Sequence, residues 1–271
     1  MAAAESGGKN SVEYIQHHLT NWTAGTGQIN LDTILFSLLA GGLLVFFAWR
    51  VGRRVTSGPP GRLQNFLEVA VEFVNGQVRD AFPNKDPFVG PLALTVFLWV
   101  AAMNACDLIP VDLFPRIAQW VGMGFGLAPE DVHLRIVATA DLSTTLALAL
   151  SVFVMTMIYG MHARGIGGYF KRFLVHPYGI WMAPINLALS LVEEIAKPLS
   201  LALRLWGNFF AGELIFLLIA LFGYAVWVAP GQAVLDWAWY WFETLEVILQ
   251  AFIFMLLTAV YLAMAVAEDE H

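Results

Sequence analysis

A chain of 271 residues that is 59% hydrophobic and only 13% charged has lipid rather than water as its main solvent. Its formal net charge of -7, with scattered acids and no long basic run, excludes nucleic acid as a partner. The single cysteine, Cys106, excludes an intrachain disulfide; no Cys/His spacing resembles a zinc site, and neither a metal nor a cofactor is expected.

Residues 1–30 are polar, with no basic patch ahead of a short apolar core, so no cleaved signal is expected. Residues 31–49 form an apolar run close to the length that a helix rising about 1.5 Å per residue needs to cross the hydrocarbon. A basic, turn-rich stretch, RVGRRVTSGPPGR, follows. In residues 62–80, Leu63, Phe66, Leu67, Ala70 and Val74 recur at helical spacing against Arg62, Asn65, Glu68 and Glu72, the pattern of an amphipathic helix lying on the membrane surface. Residues 88–110 make a second span, stopped by the aspartates and prolines of NACDLIPVDLFP. Residues 116–135 read as a loop containing Gly and Pro, and residues 136–160 as a third span with Asp141 near its start. After the loop RGIGGYFKRFLVHPYG come two long apolar stretches, 181–222 and 234–267, each longer than a perpendicular crossing requires, so steep tilt or a break is predicted.

Basic residues orient the chain. Arg50, Arg53, Arg54, Arg62, Arg79 and Lys85 follow the first span, and Arg164, Lys171 and Arg172 the third, while the other side holds Lys9, Arg116 and Arg135. The positive-inside rule puts the amino terminus outside, and five crossings put the carboxyl terminus in the cytoplasm.

Polar residues inside the long stretches carry the functional signal. Glu193, Lys197, Ser200, Arg204 and Asn208 are spaced by three or four and share one helical face, whereas Glu213 points roughly to the opposite side. An arginine at mid-helix costs about 2.5–3.5 kcal/mol on insertion scales, so Arg204 implies a partner or a water-filled path. Glu243, Glu246 and Gln250 form a second stripe on the last stretch, to which Tyr261 returns. Two striped helices side by side make a hydrated seam in which carboxylates can exchange protons, while an arginine stays cationic and acts as a fixed barrier. Asp107, Asp112 and Asp141 read as helix-end and loop residues.

The run KPLSLALRLWGNFFAGELIF, followed later by LQAFIFMLLTAVYLAMA, resembles the a subunit of bacterial F-type ATP synthase. The resemblance extends to PLALTVFLWVAAMNACDLIPVDLFP, ATADLSTTLALAL and RGIGGYFKR, from about residue 30 to the end. It implies an all-α polytopic fold: a single membrane domain over 1–271 with about five membrane helices, one amphipathic surface helix and a long tilted C-terminal helix hairpin. It also implies a non-catalytic stator subunit in the bacterial inner membrane, beside a rotating c-subunit ring and held by a b-subunit peripheral stalk within the ATP synthase complex. No Gly-rich phosphate loop is present for ATP chemistry of its own.

By that resemblance Arg204 faces the ring's ion-binding carboxylate, and Asn208, Glu213 and Gln250 belong to the outer half-channel and the arginine's surroundings. H⁺ is the expected ion, entering past Glu213, Glu243 and Glu246 and leaving near Glu193 and Ser190. Two positions depart from some bacterial relatives, which carry histidine where this chain has Glu243 and glutamate where it has Ser190. A self-contained secondary transporter or ion channel is the alternative, since intramembrane charges also occur there. An intramembrane hydrolase has no HExxH or GxSxG motif behind it.

Overall fold

The computed structural model describes residues 22–24, 29–56, 58–82, 86–109, 113–124, 134–175, 178–222 and 229–267. Among the described residues, a two-residue antiparallel ladder, β1 (Thr23–Ala24) with β2 (Ile29–Asn30), precedes seven α-helices. These are α1 (Leu31–Gly52), α2 (Arg62–Ala81), α3 (Val89–Asn104), α4 (Leu113–Gly124), α5 (Leu142–Val175), α6 (Ala183–Phe222) and α7 (Ala229–Val266). Among the described residues, five helices are long and apolar enough to cross a membrane: Leu31–Gly52, Val89–Leu108, Leu142–Val175, Ile180–Ile219 and Gly231–Val266.

Three boundaries of these segments differ from the sequence reading. The segment read as a loop from Arg116 begins inside α4, whose amphipathic pattern winds a short helix. The third span begins at Leu142, not Ile136, because the Asp141 carboxylate accepts the Ser143 backbone N–H at 2.9 Å and starts the helix there. The same helix runs on through RGIGGYFKR to Val175, broken only at Gly165, where φ is 71° and ψ 160°. That left-handed backbone is open to glycine without a Cβ clash, so helical structure resumes on the far side of one residue. The two over-length stretches are unbroken: α6 has 40 residues and α7 has 38. Pro198 is accommodated within α6.

By internal contacts the chain divides into two compact units. The first takes Met1–Phe46, Trp99–Thr144 and Trp206–Leu249. Its frame is tied by buried carboxylates. Asp32, fully buried in the first turn of α1, accepts backbone N–H groups from Thr33 at 2.8 Å, Trp22 at 3.0 Å and Arg135 at 3.1 Å. Asn30 donates from its side-chain amide to Asp141. These bonds pin the extended residues before α5 against the start of α1, and leave no backbone donor at those points unpaired.

The second unit takes Phe47–Leu98, Thr145–Leu205 and Gln250–His271. Its core joins Val74 and Val78 of α2 and the adjoining Phe82 to Val89 and Ala93 of α3 and Met255, Ala259 and Leu262 of α7. Small residues permit the approach: a Cβ on Gly90 would lie 2.7 Å from Asn75 Oδ1. The packed line of α2 therefore runs through Gln64, Val74 and Val78, while Leu63 and Phe66 of the expected apolar stripe stay exposed. Asn186, fully buried, accepts from the Tyr178 N–H and donates to the Leu174 and Gly179 carbonyls, closing the turn from α5 into α6.

Candidate functional site

Four acids and one arginine converge in the first unit. Glu213, five residues beyond Asn208 on α6, is buried and receives the Arg135 guanidinium: Nε lies 3.2 and 3.1 Å from its two carboxylate oxygens, and Nη2 bonds the second. Both side chains are largely excluded from solvent, at 9% and 3% exposure. Such a fork-to-carboxylate pair fixes orientation as well as charge. Asp107, in the 3-10 turn Ala105–Leu108 that ends the second span, shares with Arg135 and Glu213 a cavity of about 20 Å³, room for about one water.

Glu243 of α7 is fully buried, and its charge and that of Asp107 act on each other. The carboxyl oxygens of both residues, and both polar atoms of the Asn104 side-chain amide, are buried without a conventional hydrogen bond to any described residue. Buried groups of this kind are satisfied by water or by a shared proton, and cluster where polar groups serve function. Glu243 fits only because residue 212 is glycine: a Cβ there would stand 2.8 Å and 2.9 Å from its two carboxylate oxygens. Glu246, half-buried one turn on, lies within range of the Glu243 charge.

The structure thus brings Glu213, Glu243 and Glu246 of the sequence-read site into one unit and adds Asp107 and Arg135. Asp107 corrects an expectation. It does end a helix, but it is buried beside Glu243 rather than being a solvated terminus. Asp141 keeps its helix-start role, and Asp112 lies outside the described residues. Arg135 was legible only as a basic residue flanking a span. Its signal was indirect: Glu213 was a carboxylate with no partner on its own helix face.

Arg204, one turn before Asn208 on α6, is exposed and forms no ion pair with any described residue. Asn208 is half-buried and Gln250 is buried. Of the remaining predicted residues, both in the second unit, Glu193 is exposed and Ser190 half-buried. No group of three or more His, Cys, Asp or Glu side chains capable of holding a metal occurs among the described residues.

Known proteins match nearly the whole chain. The sequence model described as ATP synthase A chain matches residues 34–263. ATP synthase subunit a of Idiomarina loihiensis is 46% identical over 268 residues, covering 97% of this chain and 99% of that protein. Subunit a of Alkalilimnicola ehrlichii is 43% identical over 266 residues, covering 97% and 99%. The Chromobacterium violaceum protein is 46% identical over 269 residues, covering 95% and 98%. A match to the family model over residues 34–263, with relatives more than 40% identical over nearly the whole length, makes this chain a member of the ATP synthase A chain family.

Proposed function

We propose that the chain couples proton flow to rotation as the stator of the ATP synthase membrane sector, with Arg204 as the charge against which the rotor turns. As a member of this family it is the proton-translocating, non-catalytic membrane subunit, and the transporter reading is not favoured. The observation that carries the reading is Arg204 itself. It is a permanent cation near the middle of a 40-residue apolar helix, exposed and with no ion pair among the described residues. No described residue supplies its counter-charge, and a carboxylate on a c-subunit ring would meet that need.

In this reading a proton enters from outside along Glu213, Glu243 and Glu246, with Asp107 beside Glu243, and neutralises a ring carboxylate. The neutral site then rotates into lipid. A returning site loses its proton to a cytoplasmic path near Glu193 and Ser190 and becomes an anion that Arg204 attracts. The guanidinium also bars a cation from passing directly between the paths, while Asn208 and Gln250 line its surroundings. A membrane potential of 100 mV supplies about 2.3 kcal/mol per proton. A b-subunit stalk holds the chain still, in a bacterial inner membrane, with the amino terminus outside. Leu63 and Phe66, two of the exposed apolar residues of α2, are given to lipid at the surface.

Replacing Arg204 with alanine should abolish gradient-driven ATP synthesis by the assembled complex while membrane insertion is retained. Lysine should fail as well, because it lacks the planar delocalised charge and deprotonates when buried. Synthesis at the normal rate in Arg204→Ala would refute the assignment.

A further inference from the structure

On α6, two adjacent acids share one ammonium. Lys197 Nζ stands 2.8 Å from Glu194 Oε1 and 3.3 Å from Glu193 Oε1. Their surroundings differ: the Glu193 side chain is 63% exposed, Glu194 17% and Lys197 14%. At about 100° per residue, Glu193 falls roughly 20° from the face of Arg204, whereas Glu194 is turned roughly 80° away from it. One acid thus lies on the arginine's face and the other points into the unit.

What Glu194 turns toward is also polar. Its charge reaches the buried Tyr169 on α5, as do those of Arg164 and Arg172. Lys197 lines a cavity of about 10 Å³ with Thr156 and Tyr261, at the lower limit for one water. An i,i+4 pair kept only to stabilise a helix needs neither a second acid nor burial of the ammonium.

We propose that Glu194 is a second proton acceptor of the cytoplasmic path and that Lys197 is the positioning residue holding it against Glu193. The proposal rests on the reading of Arg204 given above. In the first transfer an O–H bond breaks on the rotor carboxyl and one forms on Glu193. In the second, that bond breaks and one forms on Glu194, which releases the proton to water on the cytoplasmic side. Lys197 keeps its three protons, and its charge holds together two carboxylates that would otherwise repel each other. The groups near Glu194 are Glu193 and Lys197 from α6 and Tyr169 from α5, and Arg164 and Arg172 act on the same tyrosine.

The test uses the assembled complex in inverted membrane vesicles, where the bathing buffer contacts the cytoplasmic path. The initial rate of ATP-driven proton uptake is followed against buffer pH. Glu194→Gln, which is isosteric, should lower uptake more than threefold and move the pH profile of the remaining rate by at least half a unit. Glu194→Asp should keep most of the rate, Lys197→Met should behave like Glu194→Gln, and Lys197→Arg should restore uptake. A smaller loss in Glu194→Gln, or a loss with the profile unmoved, as a purely structural role would give, overturns the proposal. Arg204→Ala is measured alongside: if it pumps normally, the underlying reading falls, whereas if it is dead and Glu194→Gln is normal, only the present proposal falls.

Discussion

Arg135 and Glu213 are separated by 78 positions in the chain and joined by three hydrogen bonds in the fold. Removing one member of a buried pair strands the other charge, which costs about 3–5 kcal/mol, while replacing both by apolar groups of similar size is often close to neutral. Arg135→Leu should therefore lower the thermal midpoint of the purified chain sharply, and Arg135→Leu with Glu213→Leu should recover more than half of the loss. A double variant no more stable than Arg135→Leu would show that the stranded Glu213 charge is not what the single substitution costs. The same contrast explains what could be read from the residues alone. Arg204, Glu213 and Glu243 were legible because each is a charge inside an apolar run, an anomaly visible locally. Arg135 and Asp107 sit at the edges of such runs, where charge is ordinary, and only the tertiary fold turns them inward.

The five long helices were legible as apolar runs of sufficient length, and so was the amphipathic α2. Their ends were not, because a capping carboxylate or a single backbone dihedral decides them. α5 is the clearest case. Its glycines and basic residues imitate a loop, yet only Gly165 leaves helical geometry, and Tyr169 folds back so that its ring covers Gly160. A Cβ on Gly160 would lie 2.7 Å from one carbon of the buried Tyr169 ring and 3.0 Å from another. Gly160→Ala should push Tyr169 out at a cost of about 1–3 kcal/mol, typical of overpacking. The segment beyond Gly165 should then be cut several-fold faster by trypsin at Lys171 and Arg172. Gly167→Ala has nothing within 4 Å of the added carbon and should leave cleavage unchanged. Equal rates in the two variants would show that Tyr169 does not anchor this segment.

Across the whole molecule, length and charge set the remaining geometry. A helix of 40 residues is about 60 Å long, twice the roughly 30 Å of hydrocarbon, so α6 either leans steeply or carries its ends well beyond the lipid. Because α6 and α7 are unbroken, tilt is the remaining way to keep their apolar residues in the bilayer. If the five candidate helices are the crossings, their number is odd and the two chain ends are expected on opposite sides. Which side is which follows from the basic residues: Arg50, Arg53, Arg54 and Arg62 sit at the corner joining α1 to α2, and Arg164, Lys171 and Arg172 at the far part of α5. By the positive-inside rule, charge this concentrated is expected on the cytoplasmic side. The single cysteine makes the point testable. In a Cys106→Ser background, Ser11→Cys should react with a membrane-impermeant maleimide in intact spheroplasts, whereas His271→Cys should react only after permeabilisation. The reverse pattern would turn the molecule over and exchange the entry and release paths, moving Asp107, Glu213 and Glu243 to the side where protons leave. Labelling of both positions without permeabilisation would mean an even number of crossings, and one of the five long helices would then have to lie along the membrane rather than through it.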